Sequence, residues 1–272
     1  MLPTISQVSC LPSPFDRDVE EFAAAECRQI EVWLTKLEQY LAGHTLQDVR
    51  YALERFGLSL PVAAMQGGVV ASQGAARQEA WELLRRRLAL CQELGIQTLV
   101  VACDVPPPLT QATLALVERS LKELAAVGEA HGVRIALEFQ AQSALGNNLQ
   151  TAAALVAQAT SPHLGLCLDA FHWHVGPSTT EDLAYLTAHN LFHVQLCDLA
   201  DTPRELARDA HRILPGEGDI PLAPLIAHLR QIGYTGCVSI ELMNPQLWQV
   251  PPLQLADAAM ASLRRLLATP GA

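Results

Sequence analysis

Four short apolar runs in the second half of the chain end alike. Ile135-Ala136-Leu137-Glu138, Leu166-Cys167-Leu168-Asp169, His193-Val194-Gln195-Leu196 and Val238-Ser239-Ile240-Glu241 bring three carboxylates and one carboxamide to the ends of strand-like segments. A lone acidic residue at such a point is ordinarily a helix N-cap or a solvated loop side chain. Four in succession point instead to convergence. Gathering three carboxylates in a partly desolvated site is unfavourable unless a cation offsets them or their pKa values rise. Side-chain cations are scarce: the only two lysines, Lys36 and Lys122, lie outside these runs, and Arg134 stands at the entrance of its run rather than the exit. A divalent metal is the natural compensator. Glu138, Asp169, Gln195 and Glu241 make an all-oxygen set suited to Mg²⁺ or Mn²⁺, with Co²⁺ or Zn²⁺ as alternatives.

A scaffold must hold these ends together. Eight apolar runs, Thr4 to Cys10, Gln29 to Trp33, Leu58 to Met65, Gln97 to Cys103, Val133 to Glu138, Leu164 to Leu168, Phe192 to Cys197 and Cys237 to Glu241, alternate with stretches of helical period. Among the latter are Gln78 to Leu94, Leu109 to His131, Leu149 to Ala159, Thr180 to His189, Leu222 to Ile232 and Leu253 to Leu267. Near-continuous apolar strands belong to parallel sheets covered on both faces, and eight βα units in a row predict an α/β fold, a (β/α)8 TIM barrel, as a single domain over residues 1–272. Gly57, Gly95, Gly132 and Gly233 stand shortly before strands, where a helix wants a positive-φ stop. An open dinucleotide-binding sheet lacks its G-x-G-x-x-G after the first strand. The longest connection, Asp198 to Ile220, holds Pro203, Pro215, Gly216 and Gly218; loops of that length in a compact domain are usually functional.

Composition narrows the classes further. Of 272 residues, 50% are hydrophobic and 17% charged, enough for a large core, and 18 basic against 28 acidic residues give a net charge of −10. An acidic surface repels phosphate backbones, so no nucleic-acid partner is expected. The amino terminus shows no signal-peptide pattern and no run suits a membrane span, which predicts a cytoplasmic protein without membrane contact. Seven scattered cysteines without a C-x-x-C pair read as small buried hydrophobes in a reducing compartment.

These residues resemble the xylose-isomerase-like TIM-barrel superfamily of sugar isomerases, epimerases and related lyases. The likeness covers essentially the whole chain and is sharpest from Val133 onward. It rests on Leu137-Glu138-Phe139, the D-x-x-H of Asp169 to His172, His193-Val194-Gln195-Leu196-Cys197-Asp198, Arg212-Ile213-Leu214-Pro215-Gly216-Glu217-Gly218, and Ser239-Ile240-Glu241-Leu242 with Asn244. The resemblance implies one divalent metal on Glu138, Asp169, Gln195 and Glu241, with Gln195 standing where the family usually has histidine. Hydroxypyruvate isomerase and some bacterial 3-dehydroshikimate dehydratases resemble this chain there. The amide oxygen, harder than imidazole, favours Mg²⁺ or Mn²⁺ over Zn²⁺. The related endonuclease IV type would need many more histidines.

The chemistry so implied is removal of a proton next to a carbonyl, a cis-enediolate, and reprotonation, interconverting small keto sugars or sugar-like polyols. Glu138 and Glu241 would serve as ligands and as the acid-base pair. His172 and Arg212 would contact substrate oxygens, and His174 would be structural. Glu31, near the end of the second run, either lines the mouth against the substrate or is structural. A dehydratase of the same superfamily, acting on inosose or 3-dehydroshikimate, is the alternative. A Schiff-base aldolase would have to rely on Lys36, and a pure binding module would not need the acid-base pair. An unphosphorylated carbohydrate is the expected partner, since Glu217 and the shortage of lysines weaken a phosphate site at the Pro215 to Gly218 loop. A homo-oligomer is compatible with the sequence.

Overall fold

Strands buried on both faces need apolar side chains throughout, and the chain supplies eight such segments. In the computed structural model, which describes residues 1–268, they are β1 (Leu2–Ser6), β2 (Gln29–Trp33), β3 (Ser59–Gln66), β4 (Thr98–Cys103), β5 (Arg134–Phe139), β6 (Leu164–Asp169), β7 (Leu191–Leu196) and β8 (Cys237–Ile240). They join in chain order into a closed barrel. The helices are α1 (Phe15–Ala24), α2 (Leu34–Leu41), α3 (Leu46–Phe56), α4 (Gly74–Leu94), α5 (Gln111–His131), α6 (Leu149–Ala159), α7 (Ala170–Val175), α8 (Leu222–Gln231) and α9 (Pro252–Ala268). The fold is the (β/α)8 TIM barrel that the alternation predicts. The chain forms two compact units, one of Met1–Ala63 with the chain from Gln195 onward, the other of Ala64–Val194.

In the Ala64–Val194 unit, β4, β5 and β6 run parallel, and all six residues of β4 and of β6 are buried. Glu138 lies opposite Ala102 on one side and Cys167 on the other. Because side chains alternate along a strand, Asp169, two residues beyond Cys167, shares Glu138's face. In the other unit β1 lies between β2 and β8, with Ser6 opposite Glu31 and Ile5 opposite Ile240. The N–H of Glu241 donates to the carbonyl of Leu196 at 3.0 Å, which keeps the residue after β8 beside the end of β7.

Helix ends follow local chemistry. Thr45 and Asp48 form a reciprocal capping box on α3, and Thr110 and Asn148 cap α5 and α6 through the N–H groups of Thr113 and Thr151. Gly95 and Gly132 close α4 and α5 at φ of 70° and 66°, a region that costs a side-chain-bearing residue energy.

Two segments depart from the periodicity. β1 stops at Ser6, and Gln7–Cys10 turns as a 3-10 helix although every residue in it is buried. Ser9 supplies the reason: its hydroxyl donates to Ile240 O and accepts from Leu242 N, so the segment bonds to β8 through a side chain. The helix expected over Thr180 to His189 is reduced to a 3-10 turn at Glu181–Tyr185. Here Asp182 accepts the N–H of Thr179, Asn190 that of Thr187, and Thr187 those of His189 and Asn190. Short polar side chains that capture backbone donors compete with a helix, and here they win.

All seven cysteines are free and buried. Among the described residues, no helix is long and apolar enough to cross a membrane.

Lys36 is enclosed, 4% exposed, and its Nζ donates to Asp18 Oδ2 at 2.5 Å and to Cys10 O at 2.6 Å. Gln7 Nε2 donates to the same Asp18 oxygen at 3.1 Å. An amine tied into an ion pair this way is not presented to a carbonyl substrate, which removes the aldolase route. Burial pushes the Asp18 carboxyl up to about 6, against the pull of Lys36 and its hydrogen bonds. A carboxyl raised in the fold contributes its full stability below the ordinary value of 3.8 and loses it as pH rises through the folded value. Removing Lys36 raises Asp18 further. Lys36→Met should therefore cost about 3 to 5 kcal/mol near neutral pH and visibly less at about pH 5, where Asp18 takes up its proton. Chemical denaturation at both pH values checks this, and an equal loss at each would contradict it.

Candidate active site

At the ends of β5 and β6, Glu138 is 3% exposed and Asp169 fully buried. Gln140, two residues past Glu138, donates its amide to Glu138 Oε2 at 2.7 Å. Asp169 Oδ1 caps α7 by accepting the N–H of Phe171 at 2.8 Å. The other oxygens turn toward His172, whose Nε2 lies 3.9 Å from Glu138 Oε1 and 3.8 Å from Asp169 Oδ2. One ligand atom from each of the three residues lies within 4.8 Å of the others, a spacing that could hold a metal ion. The N–H of Ala141 approaches His172 Nδ1 at 3.4 Å, so the Nε2 edge of the ring faces the two carboxylates.

A second cluster forms at the ends of β2, β7 and β8. Gln195, 1% exposed, donates its amide to Glu31 Oε1 at 2.8 Å and to Glu241 Oε1 at 3.0 Å. Glu31 is fully enclosed. The other Glu241 oxygen, Oε2, accepts from Arg212 at 3.0 Å. Arg212 is 1% exposed and also holds Asp209 Oδ1 through Nε at 3.0 Å and a terminal nitrogen at 2.8 Å. Its carbonyl accepts from Asn244 at 3.0 Å.

The long β7–α8 connection that carries Arg212 is folded around one carboxylate. Asp198 exchanges backbone hydrogen bonds with Ile213, both at 2.9 Å, while its side chain accepts the N–H groups of Leu199, Gly216 and Ile220 at 2.8 to 2.9 Å. A Cβ on Gly218 would overlap Leu199 O and stand 2.6 Å from Asp198 Oδ1, so only glycine fits there. Two N–H groups of the Pro-Gly loop are used internally, Gly216 on Asp198 and Glu217 on Leu214, which removes them as a phosphate cradle.

The expected residues thus fall into two buried groups: Glu138, Asp169 and His172 in the Ala64–Val194 unit, and Glu31, Gln195, Arg212 and Glu241 in the other. One expectation changes. The scarcity of cations near the strand ends does not extend to Glu241, because Arg212 reaches it from the loop. Gln140 and Asp209 join these groups without a motif of their own; the i,i+2 spacing from Glu138 hints at the first, and no pattern in the sequence hints at the second.

A family model for the xylose isomerase-like TIM barrel matches residues 19–266. An inosose isomerase of Bacillus licheniformis is 30% identical over 176 residues, 64% of this chain and 63% of that protein. A 3-dehydroshikimate dehydratase of Pseudomonas aeruginosa is 29% identical over 267 residues, 96% of this chain but 40% of that protein. The matches therefore span less than two thirds of the length of either relative. In fold, the chain is similar to a crystal structure of an IolI protein with a binding zinc atom, at a TM-score of 0.92, 23% identity and 98% coverage of both chains.

Proposed function

Because the chain belongs to the xylose isomerase-like TIM barrel family, we propose that it is a divalent-metal-dependent isomerase or epimerase of small unphosphorylated keto sugars or sugar-like polyols, an inosose first among them. The observation that carries this reading is the succession of buried polar residues at the ends of four consecutive barrel strands, Glu138, Asp169 and Gln195 on β5 to β7 and Glu241 directly after β8. Together they would hold Mn²⁺ or Mg²⁺, which when bound would supply positive charge to offset the negative charge that develops on the substrate. The carboxylates of Glu138 and Glu241 take the proton from the carbon next to the carbonyl and return it, so that the substrate passes through a cis-enediolate. His172 donates through Nε2–H to a substrate oxygen. Arg212 holds Glu241 in place and contacts a substrate oxygen beside it. The names of the relatives support the substrate class, and the occupied N–H groups of the Pro-Gly loop support an unphosphorylated one.

A dehydratase reading draws on one specific observation, the 96% of this chain that aligns with the dehydratase relative. Both reactions begin with the same proton and differ in whether a β-hydroxyl then leaves. The test is metal analysis of the purified protein, followed by deuterium wash-in from D₂O into a panel of ketoses, inososes and 3-dehydroshikimate with added Mn²⁺. About one bound ion per chain, with deuterium entering beside the carbonyl of a panel member, is the expected result. Product analysis then separates an isomer from a compound that has lost water. Absence of both bound metal and exchange across the panel would overturn the proposal.

A further inference from the structure

A carboxamide is a two-faced ligand. Its oxygen edge can bind a cation, its NH₂ edge repels one, and rotation about the last side-chain bond exchanges them at little intrinsic cost. Where a glutamine serves as a ligand, something must therefore decide which edge faces the ion. At Gln195 the decision is made by acceptors: Nε2 lies 2.8 Å from Glu31 Oε1 and 3.0 Å from Glu241 Oε1. Turning the amide over would set its oxygen against two carboxylates in a buried site, so the NH₂ edge is committed and the carbonyl oxygen lies on the opposite edge.

The two acceptors are not equivalent. Glu241 has its second oxygen on Arg212 and, in the reading above, serves the metal and the proton as well. Glu31 sits on β2, outside the four strands that supply ligands, opposite Ser6 of β1 and fully enclosed. The geometry points to Glu31 as a positioning residue that fixes the amide of Gln195 with its oxygen toward the metal, instead of contacting the substrate itself. The inference rests on the metal reading proposed above and adds a residue from a different strand to it. Groups that orient a ligand from behind commonly change metal affinity by about ten- to a hundredfold when lost.

The test is a Mn²⁺ titration of the wild type, Glu31→Met, Glu31→Gln, Gln195→Ala and the Glu31→Met/Gln195→Ala double variant, each checked for folding by circular dichroism. Methionine removes the acceptor, whereas glutamine removes the charge and keeps a carbonyl that can accept from Gln195. Glu31→Met should weaken Mn²⁺ binding about tenfold or more, and Glu31→Gln should restore most of it. In the Gln195→Ala background, adding Glu31→Met should change the affinity by no more than about twofold, since its route of action is gone. Should Glu31→Met fail to fold, Glu31→Ala provides the truncation. An undiminished effect of Glu31→Met in the Gln195→Ala background would overturn the inference in favour of direct contact, and equal losses in Glu31→Met and Glu31→Gln would overturn it in favour of charge alone. Wild-type affinity in Glu31→Met overturns it while leaving the metal reading intact. A wild type that takes up no Mn²⁺ overturns both.

Discussion

Glu241→Gln is expected to lower kcat about a thousandfold while leaving the barrel folded, as loss of a positioned acid-base group does. The carboxylate it replaces accepts from Gln195 on one oxygen and from Arg212 on the other. An amide offers one acceptor and one donor edge, so it satisfies only one of these two donors and sets its own N–H groups against the other. Arg212 keeps its two hydrogen bonds to Asp209, which preserves the loop and the fold. Turnover, bound metal and thermal unfolding, measured together, separate the effects. A folded Glu241→Gln protein turning over near the wild-type rate would remove Glu241 from the acid-base pair.

The second large effect is expected at Glu138. Gln140 donates to Glu138 Oε2, so a glutamine at position 138 must turn its carbonyl toward Gln140 and point its NH₂ edge toward His172 and Asp169. That removes an anionic oxygen from the place where a cation would be held and puts donors there instead. Glu138→Gln should bind Mn²⁺ more weakly by about tenfold or more and lose deuterium exchange by about a thousandfold, and a chelator should abolish exchange in the wild type. Exchange assayed in saturating Mn²⁺ distinguishes the two duties. Recovery to the wild-type rate would make Glu138 a ligand only, and unchanged exchange in the absence of added metal would eliminate it from the site.

Much of this was legible in the sequence because it is local. A strand buried on both faces is a run of apolar residues, so its end is visible where a Glu, Asp or Gln interrupts the run, as at Glu138, Asp169 and Gln195. Helix boundaries were visible at Gly95 and Gly132 for a similarly local reason, the need for positive φ at the stop. Locality also explains the errors. Burial is the same for the 3-10 turn at Gln7–Cys10 as for β1, so hydrophobicity does not tell them apart; only the hydroxyl of Ser9, bonded to β8 more than 230 residues away, does. The α7 helix was hidden because Asp169 both ends a strand and caps the helix that starts at the next residue.

Which residue types arrive at strand ends, the order in which the strands carry them and the barrel that this order builds are all readable in the local pattern of the chain. The tertiary structure alone decided how those residues are paired. Gln195 meets Glu31 across 164 positions of sequence, and Arg212 reaches Glu241 across 29 because a loop wound around Asp198 carries it there. The physical reason is the range of the interactions. Apolar periodicity and capping act over a few neighbouring residues and leave a mark in the sequence. A buried hydrogen bond between distant strands depends on barrel closure and loop path, which no spacing encodes.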